Sequence, residues 1–226
     1  MILILFLGSF SLSIGAELDY VMVGDFNNHF RFLEDRALVL GWEGDMGRFR
    51  NFQFSPVMQL QLFDIEGLSL LTGIGYFFDH TSGEFTYNYT VPNVLELNEK
   101  WGYDALPVQF QLGFNLAGLS LTSGVEFMFS QLEINAVANY DLHDNYPKKY
   151  KSDDVGLVAG IKKSMARCAF ELFFRSTPID RLRNQQEFLH YDTADGYIYE
   201  GPELEGSRNA KLDLSGIGIK VLYRVF

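Results

Sequence analysis

The run LPVQFQLGFNLAGLSLTSGVEFMF (106–129) alternates apolar and polar residues twice, with NLAG between the two halves. One face of the first half carries only large apolar side chains: Leu106, Val108, Phe110, Leu112 and Phe114. The opposite face carries Pro107, Gln109, Gln111 and Gly113. Because successive side chains of a strand point to opposite faces, this period predicts two half-buried β-strands joined by a tight turn.

The same period recurs along most of the chain. The predicted strands cover 37–44, 51–63, 68–78, 106–114, 119–129, 154–162, 168–175 and 211–226. In the last run, Leu212 and Leu214 give way to Ile217, Ile219 and Val221, so the apolar residues change phase. This change predicts a β-bulge near Ser215–Gly216.

The lengths of the connections alternate. Short links are predicted at 64–67, 115–118 and 162–166, whereas long polar loops are predicted at 79–104, 132–153 and 176–210. Short turns on one side and long loops on the other are typical of outer-membrane barrels. The sequence therefore predicts an all-β fold, an eight-stranded antiparallel up-and-down transmembrane β-barrel with short periplasmic turns and long extracellular loops.

The composition of the two strand faces favours a membrane over water. The apolar face carries Phe, Leu, Ile and Met, and the polar face carries Gln, Ser, Thr, Gly and isolated charges. A solvated outer face usually carries more charge, which favours a polar interior and a lipid-facing exterior. Eight strands leave an interior that side chains fill, which disfavours a general porin. Periodicity does not reveal which face points inward, so a soluble barrel stays open.

The N-terminal residues suggest export. Residues 1–16 are uncharged and end in small residues, which predicts a signal peptide cut after Ala16. Residues 17–36 are assigned as a segment that lies in the periplasm, extends the first strand or plugs the lumen, and 37–226 as the barrel. The single Cys168 excludes an internal disulfide, and the net charge of −11 argues against a nucleic-acid partner.

Three stretches resemble a known family. The runs YDALPVQFQLGFNLAGLSLTSGVEF (103–127), DDVGLVAGIKKSMARCAFELFFRSTPIDRL (153–182) and LSGIGIKVLYRVF (214–226) are similar to the PorT-like small outer-membrane β-barrel proteins of Bacteroidetes. The resemblance implies residence in the outer membrane of a Gram-negative cell. It also implies insertion by the barrel-assembly machinery, which reads the last strand and its terminal Phe226. For some members it implies a part in protein secretion.

Four charges fall on the polar face at mid-strand depth: Glu126, Glu171, Arg175 and Lys220. A buried charge is costly unless it is paired, so these residues predict a salt-bridged network in the lumen. The alternative is a gate or proton path.

A second group lies in the predicted loops: Asp79, His80, Asp141, His143, Asp144, His190 and Asp192. If the loops converge, these side chains have the chemistry for a divalent metal or a water-activating Asp–His site. Their spacing matches no ligand motif, so we expect solvated loop residues and predict no catalytic site, metal or cofactor.

The predicted function is non-enzymatic, structural or binding through acidic, Tyr-rich loops, with a secretion-system or extracellular protein as partner. The chain is expected to be monomeric and surrounded by outer-membrane lipid. The alternatives are a hydrolase that uses the loop His and Asp residues, and a narrow channel or hydrophobic-ligand carrier.

Overall fold

A computed structural model describes residues 10–90, 93–140, 142, 146–184 and 187–226. In those residues the fold is antiparallel β-structure with one helix. The helix α1 spans Asp25–Val39. The strands are β1 Ser11–Val21, β2 Glu43–Met46, β3 Phe52–Ile65, β4 Leu68–Gly75, β5 Phe77–Thr90, β6 Asn93–Leu116, β7 Leu119–Ala138, β8 Lys148–Met165, β9 Cys168–Ser176, β10 Pro178–Ile179, β11 Arg183–Asn184, β12 Glu187–Asp192, β13 Tyr197–Glu200, β14 Ser207–Asn209, β15 Leu212–Asp213 and β16 Gly216–Arg224.

Eight strands pair in a continuous antiparallel series. β1 pairs with β3, β3 with β4, β4 with β6, and β6 with β7. The series continues from β7 to β8, from β8 to β9, and from β9 to β16, which pairs with β1. The pairing thus returns to its first strand, and these eight strands are called the ring below. Each has two hydrogen-bonded neighbours, so its backbone groups are satisfied within the protein.

Three two-residue turns close one end of the ring. They connect β3 to β4, β6 to β7 and β8 to β9. Glu66 and Gly67 have φ of 51° and 86°, and Ala117 and Gly118 have φ of 50° and 80°. Positive φ at both turn residues suits the twist of a tight hairpin. The predicted short links are confirmed, and this end is called the short-turn end. The opposite end is called the long-connection end.

The first strand differs from the prediction. β1 lies before residue 37 and pairs with both β3 and β16, so the predicted barrel boundary at residue 37 is wrong. The predicted strand at 37–44 is also wrong, because α1 continues to Val39 and β2 begins only at Glu43. Phe26, Phe30, Leu33 and Ala37 bury one face of α1. Their spacing follows the helical period and overrides the short alternation after residue 37.

The N-terminal assignment changes accordingly. Residues 1–9 lie outside the described residues, whereas 11–16 belong to the 11 residues of β1. A cut after Ala16 would remove six residues from a strand that is paired on both sides. Residues 17–21 complete that strand, and α1 follows at the long-connection end. The beginning of 17–36 therefore belongs to a ring strand of its own and does not extend the strand expected at 37–44, from which α1 separates it.

Much of the predicted loop sequence is also β-structure. β5 continues the path of β4 and pairs with the first half of β6, from Phe77 opposite Ala105 to Thr90 opposite Asn93. β10 to β15 form short pairs in the connection between β9 and β16. With α1 they surround one apolar core at the long-connection end, which includes Phe30, Trp101 and Leu132.

Near the end of the chain, every second residue points inward without interruption. Leu212, Leu214, Gly216, Gly218, Lys220 and Leu222 are all buried. The pairing of β16 with β9 has no register shift from Gly216 to Tyr223. The predicted bulge near Ser215–Gly216 is therefore wrong. Leu212 and Leu214 point into the apolar core, whereas Ile217 and Ile219 point outward from the ring. The apolar residues change face because the surroundings change.

As for helical membrane spans, α1 is too short and too polar to cross a bilayer, and it is the single helix in the described part of the chain.

Candidate functional site

A cluster of charged side chains fills the middle of the ring. Arg175 on β9 lies at its centre and is 1% exposed. Its guanidinium donates from Nε to Oε2 of Glu126 at 3.0 Å, and from Nη1 to Oδ2 of Asp19 at 2.7 Å. Nη2 lies 3.0 Å from Oε1 of Glu17. One guanidinium therefore ties together β1, β7 and β9 across the interior.

Lys220 on β16 is the second cation of the cluster. Its Nζ lies 3.6 Å from Oε2 of Glu17 and 3.7 Å from Oε2 of Glu171. It also donates to Oε1 of Gln109 at 3.2 Å. The ring of Phe173 lies 4.9 Å from Nζ of Lys220 and 5.3 Å from Cζ of Arg175. Each cation thus gains an aromatic face in addition to its carboxylates.

Neutral side chains complete the hydrogen bonding of the carboxylates. Gln109 donates from Nε2 to Glu126 at 2.6 Å, and the hydroxyl of Thr177 donates to the same carboxylate at 2.9 Å. Thr122 donates to Oε1 of Glu171 at 2.7 Å. Such fixed donors offset part of the desolvation cost of a buried charge. The group formed by Glu17, Asp19, Glu126, Glu171, Arg175 and Lys220 is called the interior network below.

The interior network leaves little free volume. The space beside it, lined by Glu17, Gln59, Gly73, Gln109 and Lys220 among others, amounts to about 10 Å³. That is room for roughly one water molecule. The arrangement bridges the ring from wall to wall and blocks its interior. Four carboxylates face two cations, and oxygens of Glu17, Asp19 and Glu171 lack a hydrogen-bond partner in the described residues.

The four residues that the sequence singled out all lie in this network: Glu126, Glu171, Arg175 and Lys220. Glu17 and Asp19 were missed because the predicted boundaries placed them outside the barrel. The signal was present in Glu17-Leu18-Asp19-Tyr20, where the acidic residues are buried and Leu18 and Tyr20 are each half exposed.

The predicted His and Asp group does not form one site in the described residues. His80 is exposed on β5, which is a strand and not a loop, and His190 is buried on β12 with its ring 5.6 Å from that of Tyr199. Asp192 accepts the backbone N–H of Ala194 at 2.8 Å. Asp141, His143 and Asp144 lie outside the described residues. Among those that are described, no three His, Cys, Asp or Glu side chains are placed to hold a metal ion.

Asp79 serves the backbone of the neighbouring segment. It is buried on β5, and its Oδ2 accepts the backbone N–H of Arg50 at 2.6 Å. This contact gives the carboxylate a local structural role.

The long-connection end contains a different polar centre. His29 of α1 is 2% exposed, and its Nδ1 accepts the backbone N–H of Ile198 at 3.0 Å. Its ring lies 5.2 Å from that of Trp101. Burial lowers the pKa of His29 to about 3. The imidazole is therefore a neutral acceptor that fixes β13 against α1.

The start of α1 is held by an ion pair. Both carboxylate oxygens of Asp25 accept from Arg208, at 2.7 Å and 2.6 Å, and one of them also accepts the backbone N–H of Lys211 at 2.9 Å. These hydrogen bonds, which Arg208 donates to Asp25, raise the pKa of Arg208. A bidentate pair of this kind fixes orientation as well as distance. It ties α1 to the connection before β16.

Phe226 lies beside β1. Its ring stacks on that of Phe10, with 5.9 Å between centroids, and its carbonyl oxygen accepts the backbone N–H of Leu12 at 3.2 Å. The side chain is 61% exposed on the outside. Its role as a barrel-assembly signal stays a prediction.

Comparisons with known proteins add two structural neighbours. The attachment invasion locus protein Ail of Yersinia pestis, solved with a heparin analogue, has a TM-score of 0.46 at 8% identity, covering 96% of this chain and 97% of its own. Neisserial surface protein A has a TM-score of 0.43 at 9% identity, covering 95% and 96%. No family model and no curated protein sequence matches the chain. Likeness this low carries no argument, so the architecture rests on the strand pairings.

Proposed function

We propose that the ring is a transmembrane β-barrel of an outer membrane, without enzymatic activity. The observation that carries this proposal is the reversed polarity of the ring: charges are buried inside it, and large apolar side chains cover its outside. Leu18, Phe110, Leu157, Leu172 and Ile219 are each between 46% and 64% exposed. In water such a surface would be unfavourable, whereas in lipid it is the favourable one.

The height of the apolar surface fits a bilayer. On β8 the outward residues Val155, Leu157, Ala159 and Ile161 are apolar, and Asp153 and Lys163 bracket them. The bracketed stretch, 154–162, has nine residues. A transmembrane strand needs about 9–11 residues when it is tilted. The ring also satisfies its backbone by pairing, which a lipid environment demands.

The filled interior supports a structural or binding role instead of transport. The interior network bridges the ring, and α1 with its apolar core covers the long-connection end. The chain would then present a folded body outside the membrane, formed by α1 and the extended hairpins. On the PorT-like resemblance alone, we add the proposal that its partner belongs to a protein-secretion system.

Cell fractionation with gel migration tests the proposal. The folded protein should be found in the outer-membrane fraction, and in detergent it should migrate faster before boiling than after. A protein that fractionates with the soluble periplasm and shows no shift on boiling would exclude the membrane barrel. The mass of the mature protein adds a second readout, because we expect export with β1 intact, and therefore retention of Ser11–Ala16.

Two functional assays separate the alternatives. Purified protein in planar bilayers should be electrically silent, and steady single-channel conductance would overturn the filled-interior proposal. Replacing His80, His143 and His190 together by alanine should change no activity of the membrane fraction on lipid or peptide substrates. A loss would favour a hydrolase.

A further inference from the structure

Three cations lie on the outside of the molecule at the long-connection edge of the apolar surface. Lys151 on β8 is directly opposite Arg183 on β11, and both are exposed. Arg181 is exposed next to them, where it and Arg183 line a groove of about 390 Å³. We propose that these three residues, called the outer basic site, bind the phosphate of a membrane-lipid headgroup. This inference rests on the proposed membrane location.

The pairing of the cations argues for an anionic ligand. Like charges at directly opposed positions of an antiparallel pair are destabilising. In the described residues no carboxylate forms an ion pair with Lys151, Arg181 or Arg183, although the exposed Asp153 lines the same groove and Asp154 lies within electrostatic reach of Arg181. A phosphate between the cations would remove their repulsion and accept several hydrogen bonds.

The neighbouring row of the same sheet shows the contrast. Lys149, two residues before Lys151, is directly opposite Glu133, and their side chains form an ion pair of 3.0 Å. Lys151 has Gln131 on that side and Arg183 on the other. The row of Lys149 is thus neutralised by the protein, whereas the row of Lys151, which is one row nearer to the apolar surface, contains no carboxylate.

The position matches the depth of lipid phosphates. Asp153, next outward on β8, is opposite Phe129, and Val155 beyond it is 63% exposed in the apolar surface. Lys151 is therefore the next outward-facing residue of β8 after the level of Phe129, counted towards the long-connection end. Phe188, opposite Arg183 and 38% exposed, lines the groove with an apolar ring. A single lipid could therefore place its phosphate beside the cations and its acyl chains beside Phe129 and Val155.

Lipid retention tests the outer basic site. The folded protein in detergent micelles is titrated with phosphatidic acid, phosphatidylcholine or inorganic phosphate, and bound molecules are counted by native mass spectrometry. The Lys151→Gln/Arg183→Gln double variant should bind phosphatidic acid about 30-fold more weakly, at about 1 kcal/mol for each cation near a membrane surface. The control is Lys163→Gln/Arg167→Gln, which makes the same charge change at the short-turn end.

The outcomes separate the sources of the effect. Selective loss in the first variant, with the control unchanged, supports the site. Equal loss in both variants would mean general attraction to charge and would overturn it, as would unchanged binding in the first. If inorganic phosphate competed fully with phosphatidic acid, the ligand of the site would be a free anion, and the lipid proposal would be overturned. A protein that migrates as a folded membrane barrel and shows no preference for phosphatidic acid contradicts this inference alone, whereas one that never enters micelles contradicts the proposed function.

Discussion

The two ends of strand β7 have opposite polarity. Towards the short turns its inward residues are Thr122 and Glu126 and its outward residues are Val125, Phe127 and Phe129. Towards the long connections the inward residues are Leu132, Ile134 and Ala136, and the outward residues are Gln131, Glu133 and Asn135. The strand keeps its period of two throughout. Its outer surface therefore changes along its length, from an apolar one to a polar one.

The difference means that two physical principles stabilise one continuous sheet. The ring has a polar interior that is held together by ion pairs and hydrogen bonds. The long-connection end has an apolar core, as in a soluble protein, around Phe30, Trp101 and Leu132. Each region should respond to a different kind of substitution.

Removal of the central guanidinium should have the largest effect. Arg175→Met leaves Glu17, Asp19 and Glu126 facing one another in a buried space without their common partner. Removing one member of a buried ion cluster costs about 3–5 kcal/mol. We expect the urea midpoint of the folded gel band to fall accordingly, or the folded band to disappear.

Arg167→Met is the matched control, because Arg167 is an exposed arginine at the short-turn end with a 3.4 Å hydrogen bond to Tyr223. Its urea midpoint should stay close to that of the wild type. Similar losses in both variants would show that the interior network carries no special stability.

A truncation in the apolar core should act locally. Phe30→Ala removes a fully buried ring of α1. The cost is about 3 kcal/mol, at the low end for such truncations because α1 can settle into the gap. Hydrogen exchange should accelerate in α1 and β13 while the paired strands β8 and β9 stay protected. Faster exchange in all four elements would mean that the two regions unfold as one unit.

A pair of arginine substitutions compares the outer surfaces. Leu157 in the apolar surface and Val137 near the end of β7 are 64% and 61% exposed. Leu157→Arg should lower the free energy of unfolding in lipid vesicles by about 2 kcal/mol, because a charge there faces hydrocarbon. Val137→Arg should change it little. Equal effects would indicate that both positions face the same solvent, which is the soluble-barrel alternative.

A strand could be predicted from the sequence where each of its two faces keeps the same surroundings along its whole length. The hairpin 106–129 and the tight turns followed from period and connection length, and four members of the interior network followed from their place on the polar face. The sequence did not reveal Glu17 or Asp19, because an uncharged stretch before them resembles an export signal. A strand with an apolar lipid face can produce the same pattern.

The remaining errors have a common cause. The apolar residues move to the other face where the apolar outside of the ring gives way to the apolar core, as at Leu214 and Ile217. A single periodic pattern cannot distinguish this exchange from a bulge. α1 was missed for a related reason, since its buried residues serve a core formed by distant connections.

The smallest expected effect is a pH dependence confined to the apolar core. The pKa of His29 is lowered from 6.5 to about 3 by burial. Below pH 6.5 the unfolded chain binds a proton that the folded protein does not, so stability is complete above that pH and is lost as pH falls towards 3. Lowering the pH from 7.5 to 5.5 should cost about 1.4 kcal/mol, seen as an about tenfold lower protection factor of the Ile198 amide once the slower intrinsic exchange at low pH is corrected for.

His29→Gln separates this titration from others, because an amide oxygen can accept the N–H of Ile198 and does not ionise in this range. The protection factor of the Ile198 amide should depend less on pH in the variant than in the wild type, whereas the protection factors of amides in β8 and β9 should respond alike in both proteins. If the pH dependence at Ile198 were the same in both, the acid sensitivity would come from other groups. If the His29→Gln substitution also weakened the pH dependence of protection in β8 and β9, the apolar core and the interior network would be coupled. The two regions would then differ in composition but not in stability.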